Sequence, residues 1–377
     1  MTDGALVCSA CGAARPLADA RWRCDCGGLL DVRWAGRLDP ARLRNRPPNL
    51  WRYREALPIV DEAAIVTLGE GFTPLLDGRI ADYAVQLKLD HLFPSGSYKD
   101  RGATVLVSAM RERGVRHAVE DSSGNAGCAI AAYCARAGIA CEIYVPAATS
   151  PGKLAQIAAY GARLVRVPGD RQATAQAAWD AAQTAYYASH TWNPFFLQGT
   201  KTFAYEVAEQ RGWRAPDAVV LPVGNGTLLL GAAIGFRELA DAGLIDRIPR
   251  LVGVQAAACA PLAAAFRTGL AVPVPIVAGE TAAEGIAIAA PARGAQILAA
   301  VRATSGTFLT VDEDEIAAAW CAMAAQGLYI EPTAAATIAG VEQFVRGMRS
   351  NEDVVSVLTG HGLKSAGKPV HAPAESA

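Results

Sequence analysis

Residues 90–106 read "DHLFPSGSYKDRGATVL", and this stretch decides how the rest of the chain is read. A turn of small residues delivers Lys99, followed by Asp100-Arg101-Gly102 and an apolar helical run. Lysine is otherwise scarce: Lys88, Lys99, Lys153, Lys201, Lys364 and Lys368 are the whole set. Lys88 lies in a strand-like run, Lys153 begins a helical one, and Lys364 and Lys368 approach the C-terminal end. If an amine does chemistry here, Lys201 in "GTKT" is the one serious rival to Lys99.

Around this stretch the pattern alternates. "VRHAVE" precedes "AGCAIAAYCARAG", "CEIYVP" precedes "GKLAQIAAYGA", and "RLVRVPG" precedes "QATAQAAWDAAQTA". Farther on, "AVVLPV" precedes "TLLLGAAIGFRELADAG", "RLVGVQA" precedes "PLAAAFRTG", and "DVVSVLTG" comes last. Strands recurring between helices imply βαβ crossovers, in more units than one small sheet needs. The expected fold is α/β: two parallel-sheet αβα domains with a small N-terminal Cys-rich ribbon. The expected boundaries are 1–35 for the ribbon, 36–205 for a domain carrying Lys99, 206–364 for a second domain and 365–377 for a flexible tail. The connector "RLDPARLRNRPPNLWRYREALP" is expected to run over the surface.

Composition narrows the function. The 377 residues carry a net charge of −1 and no basic run, which argues against a nucleic-acid partner. No apolar stretch reaches the roughly 18 residues that a membrane helix needs. The N-terminus lacks a basic region followed by an apolar segment, so no secretory signal is expected. The expectation is a cytoplasmic enzyme without a membrane or nucleic-acid partner.

Nine cysteines fall into two groups. Cys128, Cys134, Cys141, Cys259 and Cys321 sit among apolar neighbours and read as buried small hydrophobes in a reducing compartment. Cys8-x-x-Cys11 with Cys24-x-Cys26-Gly-Gly has the knuckle character of a zinc ribbon, although the second knuckle is one residue short. Two readings stay open: a zinc site, or a degenerate ribbon packed by Trp22, Leu29 and Leu30 without metal. With only Arg21 and Arg23 near its second knuckle, it is a poor nucleic-acid binder.

Ligands of open α/β sheets gather at the carboxyl ends of strands, which directs attention to three turns. In "EDSSGNAG", Ser122, Ser123, Gly124 and Asn125 offer hydroxyls, an amide and backbone N–H groups, more than an N-cap requires; a carboxylate suits them. In "PVGNGTLLLG", Gly224, Asn225, Gly226 and Thr227 form a phosphate cradle. Leu229 occupies the place of a dinucleotide glycine, so a phosphate monoester fits better than NAD. In "VLTGHGLK", Thr359 closes the last strand, and His361 between two glycines reads as structural. Phosphate cradle, carboxylate turn and amine together describe pyridoxal phosphate acting on an amino acid.

"PSGSYKDRGA" resembles the P-T-G-S-F-K-D-R-G segment of threonine synthases, within the tryptophan-synthase-β-like fold type II of pyridoxal-phosphate enzymes. "SSGNAG", "GKLAQ", "GTKTFAYE", "GNGT", "EPTAA" and "TGHGLK" follow in the family's order, and "CGGLL" is similar to its N-terminus. The resemblance implies that Lys99 is the Schiff-base lysine, with Asp100 and Arg101 structural. It implies that Asn125 bonds the cofactor 3′-oxygen, Ser122 and Ser123 hold the α-carboxylate, and Gly224–Thr227 hold the cofactor phosphate. Thr359 then faces the pyridine nitrogen as a neutral hydroxyl, which suits elimination better than transamination. A homodimer is also implied.

The resemblance breaks at one segment. Threonine synthases carry N-P-x-R-x-E-G-Q-K-T, whereas residues 193–202 read "NPFFLQGTKT", with Phe196, Gln198 and Thr200 replacing arginine, glutamate and glutamine. Phenylalanine supplies no charged fork to a phosphate dianion. "AAEGIAI", with Glu284-Gly285-Ile286-Ala287, looks closer to the serine/threonine dehydratases. Lys201, His190 and Arg101 are the candidates to hold a substrate phosphate. Three expectations follow: a lyase converting O-phosphohomoserine to threonine and phosphate; a β-elimination or β-replacement enzyme on a serine- or threonine-derived substrate, such as an ammonia lyase or a cysteate-synthase-like enzyme; and, remotely, a non-catalytic protein of this fold.

Overall fold

The computed structural model describes residues 4–348 and 352–365. The tail expected over 365–377 lies, after residue 365, outside the described residues. In chain order the strands are β1 (Gly4–Cys8), β2 (Ala14–Pro16), β3 (Leu30–Trp34), β4 (Leu75–Ile80), β5 (Tyr83–Lys88), β6 (His117–Glu120) and β7 (Ala140–Pro146). They continue with β8 (Arg163–Val167), β9 (Tyr186–Tyr187), β10 (Ala218–Pro222), β11 (Arg250–Ala256), β12 (Thr307–Val311) and β13 (Val354–Val357).

The chain divides into two compact units, one holding the chain up to residue 72 with 93–202, the other holding 73–92 with 203 onward. The first contains a three-stranded antiparallel sheet in the order β2-β1-β3 and a four-stranded sheet in the order β8-β7-β6-β9. Every pairing in the latter is parallel. Its core joins Leu6, Leu17 and Leu30 of the ribbon to Ala103, Leu106 and Met110 of the Lys99–Glu112 helix. Trp22 also docks inward: its ring centroid lies 4.8 Å from Tyr187, 5.5 Å from Trp192 and 5.7 Å from Trp179. The ribbon is thus packed onto the larger sheet's core by apolar side chains.

The second unit carries six strands in the order β12-β11-β10-β13-β5-β4. All its pairings are parallel except the β4–β5 hairpin. β10 is buried along its whole length, as "AVVLP" suggests for a central strand covered on both faces.

Two expectations need correction. Residues 73–92 group with the second unit rather than the first, because β5 pairs in parallel with β13, matching Gln86 with Val355 and Lys88 with Val357. Nothing in the local pattern of 75–88 reveals a partner so distant in the chain. The connector is not purely superficial either. Leu50–Ala56 forms a 3-10 helix whose Leu50 and Trp51 pack with Leu57 and Val105. Trp51 Nε1 donates to Thr104 Oγ1 at 3.0 Å and to Glu70 Oε1 at 3.1 Å, so this buried indole is satisfied.

Candidate active site

In the first unit, Lys99 opens a helix of 14 residues. The turn before it is held by its successor. The Asp100 carboxylate accepts from Ser95 N at 2.8 Å and from the Ser95 hydroxyl, and Gln156 Nε2 donates to Ser95 O at 2.9 Å. Gly96 adopts φ +81°, a left-handed conformation that glycine takes at little cost. The half-buried Lys99 Nζ lies 4.6 Å from the Tyr98 ring centroid and 5.7 Å from that of Phe196. Arg101 is fully buried, donates Nη1 to Thr202 Oγ1 at 3.1 Å and stacks 4.9 Å from the Phe93 ring.

Phe196 occupies the position of the family arginine, buried within the Pro194–Thr200 helix. A Cβ on Gly102 would stand 2.4 Å from the Phe196 ring, so glycine and phenylalanine are mutually fitted. Lys201 ends this helix fully buried, its N–H donating to Leu197 O at 3.0 Å.

The turn after β6 presents Ser122, Ser123 and Gly124 before the helix Asn125–Ala137. Ser122 Oγ accepts from Gly124 N at 3.3 Å, and Gly124 serves as N-cap without a side-chain cap, at a helix N-terminus of the kind that suits an anion. This helix packs against the Lys99–Glu112 helix.

Sequence reading missed one feature beside this turn. His190 follows β9, the parallel neighbour of β6, and Glu120 ends β6. His190 Nδ1 and Glu120 Oε1 are 2.7 Å apart, with Glu120 fully buried and His190 nearly so. Burial, with Asp121 adding to it, pushes the Glu120 carboxyl well above its ordinary range. Burial, aided by the Lys99 and Arg171 charges, pushes the His190 imidazole well below its own. Only a 70-residue separation joined by strand pairing reveals the pair; no local motif does.

In the second unit, β10 leads into Gly224-Asn225-Gly226 and the 15-residue helix Thr227–Asp241. Gly226 is the N-cap at φ +70°, and a Cβ there would stand 2.3 Å from Ile297 Cδ1. The loop therefore presents backbone at a helix N-terminus, the arrangement that binds a phosphate. Thr359 is fully buried after β13 and donates Oγ1 to Glu331 Oε1 at 3.1 Å. Glu331 N in turn donates to Gly360 O at 2.9 Å. The motif "EPTAA" thus supplies the residue that orients the threonine. His361 forms a bridge with Ile330 and lies 5.7 Å ring to ring from His91.

Lys88 is excluded as a nucleophile by its bonding. Its Nζ reaches Thr73 O at 2.5 Å, Gln210 Oε1 at 2.7 Å and Glu206 Oε2 at 2.8 Å, using all three ammonium donors.

The four ribbon thiols converge: the Sγ atoms of Cys8, Cys11, Cys24 and Cys26 all lie within 4.8 Å of one another. The Cys8–Cys26 and Cys11–Cys24 separations are 3.5 and 3.7 Å. Backbone N–H groups of Cys11 and Ala10 point at Cys8 Sγ and help bring its thiol down to about 6.

Residues 66–360 match the family described as pyridoxal-phosphate dependent enzyme. A threonine synthase of Methanocaldococcus jannaschii is 34% identical, covering 98% of this chain and 95% of that protein. One of Mycobacterium leprae is 36% identical over 83% and 87%. Among solved structures, maize serine racemase has a TM-score of 0.69 at 17% identity, covering 77% of this chain and 88% of its own. The processed threonine deaminase isoform 2 of Solanum lycopersicum has a TM-score of 0.68 at 22% identity, covering 86% of each chain. These two likenesses concern the fold alone. The chain belongs to the pyridoxal-phosphate dependent enzymes and, within them, to the threonine synthase family.

Proposed function

We propose that the chain removes a leaving group from the β or γ carbon of a small α-amino acid, its closest named reaction being O-phosphohomoserine to threonine and phosphate. The observation that carries this reading is the 34% identity to a threonine synthase over 98% of the chain. Lys99 attaches the cofactor and, once released, carries the proton taken from the substrate. Ser122, Ser123, Gly124 and the N–H groups at the Asn125 helix hold the α-carboxylate, and the Asn125 amide meets the cofactor 3′-oxygen. Gly224, Asn225, Gly226 and Thr227 hold the cofactor phosphate, and Thr359, oriented by Glu331, faces the ring nitrogen. Pyridoxal phosphate, when bound, supplies the electron sink. Lys201, as a substrate-side cation, belongs to the same reading.

Phe196 favours a second reading, β-elimination or replacement on a serine- or threonine-derived substrate. Its buried ring offers a phosphate no donor. Adding O-phosphohomoserine, serine and threonine singly to the holoenzyme separates the two. Threonine with phosphate supports the first, and a keto acid with ammonia supports the second.

The thiol cluster supports a tetrahedral zinc site on Cys8, Cys11, Cys24 and Cys26. One zinc per chain by elemental analysis, lost in Cys8→Ser, is expected; no metal in the purified protein contradicts it. A cytoplasmic homodimer completes the proposal, supported by exposed apolar side chains at Val272, Val274 and Val277. Sedimentation at twice the chain mass is the expected result.

A further inference from the structure

The carboxyl edge of β6 and β9 holds a buried acid–base pair that the roles above leave unused. Glu120 Oε2 has no hydrogen-bond partner and Glu120 is fully buried, so an ionised carboxylate there would carry a heavy desolvation cost. Its neighbour is differently placed. Asp121 accepts from Tyr187 OH at 2.8 Å and pairs with Arg171 Nη2 at 2.6 Å, which satisfies its charge. Both titration shifts of the Glu120–His190 pair favour the same state, a carboxylic acid beside a neutral imidazole. Glu120 Oε1–H then donates to Nδ1, which fixes the ring hydrogen on Nε2. The His190 ring lies 6.0 Å from the Phe196 centroid, and Lys99 Nζ lies 5.7 Å from the same centroid. The imidazole and Lys99 Nζ thus share the Phe196 ring as a neighbour, and the imidazole's partner Glu120 directly precedes the turn that leads to Asn125.

We infer that Glu120 and His190 form a one-proton relay serving the oxygen that leaves the substrate. This rests on the lyase reading and adds the group that the departing oxygen meets. As the C–O bond breaks, the oxygen keeps the bonding pair and takes the Nε2 proton of His190. The Glu120 proton moves to Nδ1, leaving a carboxylate and a neutral imidazole. The electron pair of the adjacent C–H bond, whose proton Lys99 removes, becomes the new carbon–carbon double bond. Between turnovers solvent protonates Nε2, and Nδ1 returns its proton to Glu120. The leaving oxygen belongs either to a phosphate ester or to a hydroxyl, and Phe196 makes such help more necessary by providing no cation.

The test uses holoenzyme with Glu120→Gln and His190→Gln. Glutamine at 120 can still donate to Nδ1 but has no proton to release. Both variants are expected to lower kcat about a hundredfold or more on the oxygen-leaving substrate, with KM and the absorbance of the cofactor imine unchanged. β-Chloroalanine, which loses chloride and needs no proton, is expected to be turned over at the wild-type rate. A loss seen with O-phosphohomoserine places a phosphate oxygen at His190; one seen with serine or threonine places a hydroxyl there. Undiminished turnover, or an equal loss on β-chloroalanine, overturns the inference. NMR of histidine-labelled protein without substrate gives a second readout: His190 is expected as the neutral Nε2–H tautomer at about pH 6.5, where an ordinary histidine is half protonated. An imidazole titrating normally also overturns it. Absence of the imine band in the wild type would instead defeat the cofactor reading, and the NMR result would still decide the pairing.

Discussion

Two buried acid–base pairs of this protein have nearly the same spacing and differ in their bonding. Lys88 and Glu206 are both fully buried, 2.8 Å apart, and Lys88 also meets Thr73 O and Gln210. Glu120 and His190 are 2.7 Å apart, yet one carboxyl oxygen of Glu120 has no partner. A charge whose donors are all used is held in place and serves the fold. A titratable group left short of partners is where the proposed relay finds a proton to exchange. On that proposal, saturation rather than burial separates structure from chemistry.

Substitutions that treat the two pairs alike are the way to break this contrast. Glu206→Ala is expected to cost about 3–5 kcal/mol of stability, because it leaves the Lys88 ammonium buried without its counter-charge; chemical denaturation measures it. Glu120→Gln is expected to change stability by under about 1 kcal/mol while slowing turnover, since an amide replaces a neutral acid. If both variants lose stability equally, the contrast fails. Between these falls Gly102→Ala, which sets a methyl against the Phe196 ring and is expected to cost about 1–3 kcal/mol. Pairing it with Phe196→Leu is expected to recover part of that loss.

A modest, pH-dependent effect concerns a third buried group. Burial, then the neighbouring His361 charge, brings His91 down to about 4 against the opposing pull of Asp90. The unfolded chain therefore binds this proton more readily than the folded one. Stability falls as pH drops from about 6.5 toward 4, by about 1 kcal/mol after solvent screening. His91→Asn is expected to flatten the thermal-midpoint slope over that window.

Much of this was legible in the sequence for a physical reason. Runs such as "AVVLPV" and "CEIYVP" announce strands covered on both faces or alternating between them, and the glycines of "GNGT" announce a backbone cradle. The local turn around Lys99 was legible because Asp100 reaches only five residues back. What escaped notice depends on distance along the chain. β5 joins β13 by strand pairing, Glu331 meets Thr359 across 28 residues, and Glu120 meets His190 across 70. No periodicity encodes those meetings; the sheet order creates them.

Borohydride reduction of the holoenzyme followed by peptide mapping tests the central claim most directly. The account predicts one cofactor adduct, on the peptide bearing Lys99, and its disappearance in Lys99→Ala together with activity. An adduct on the Lys201 peptide, or none on any peptide, would contradict it.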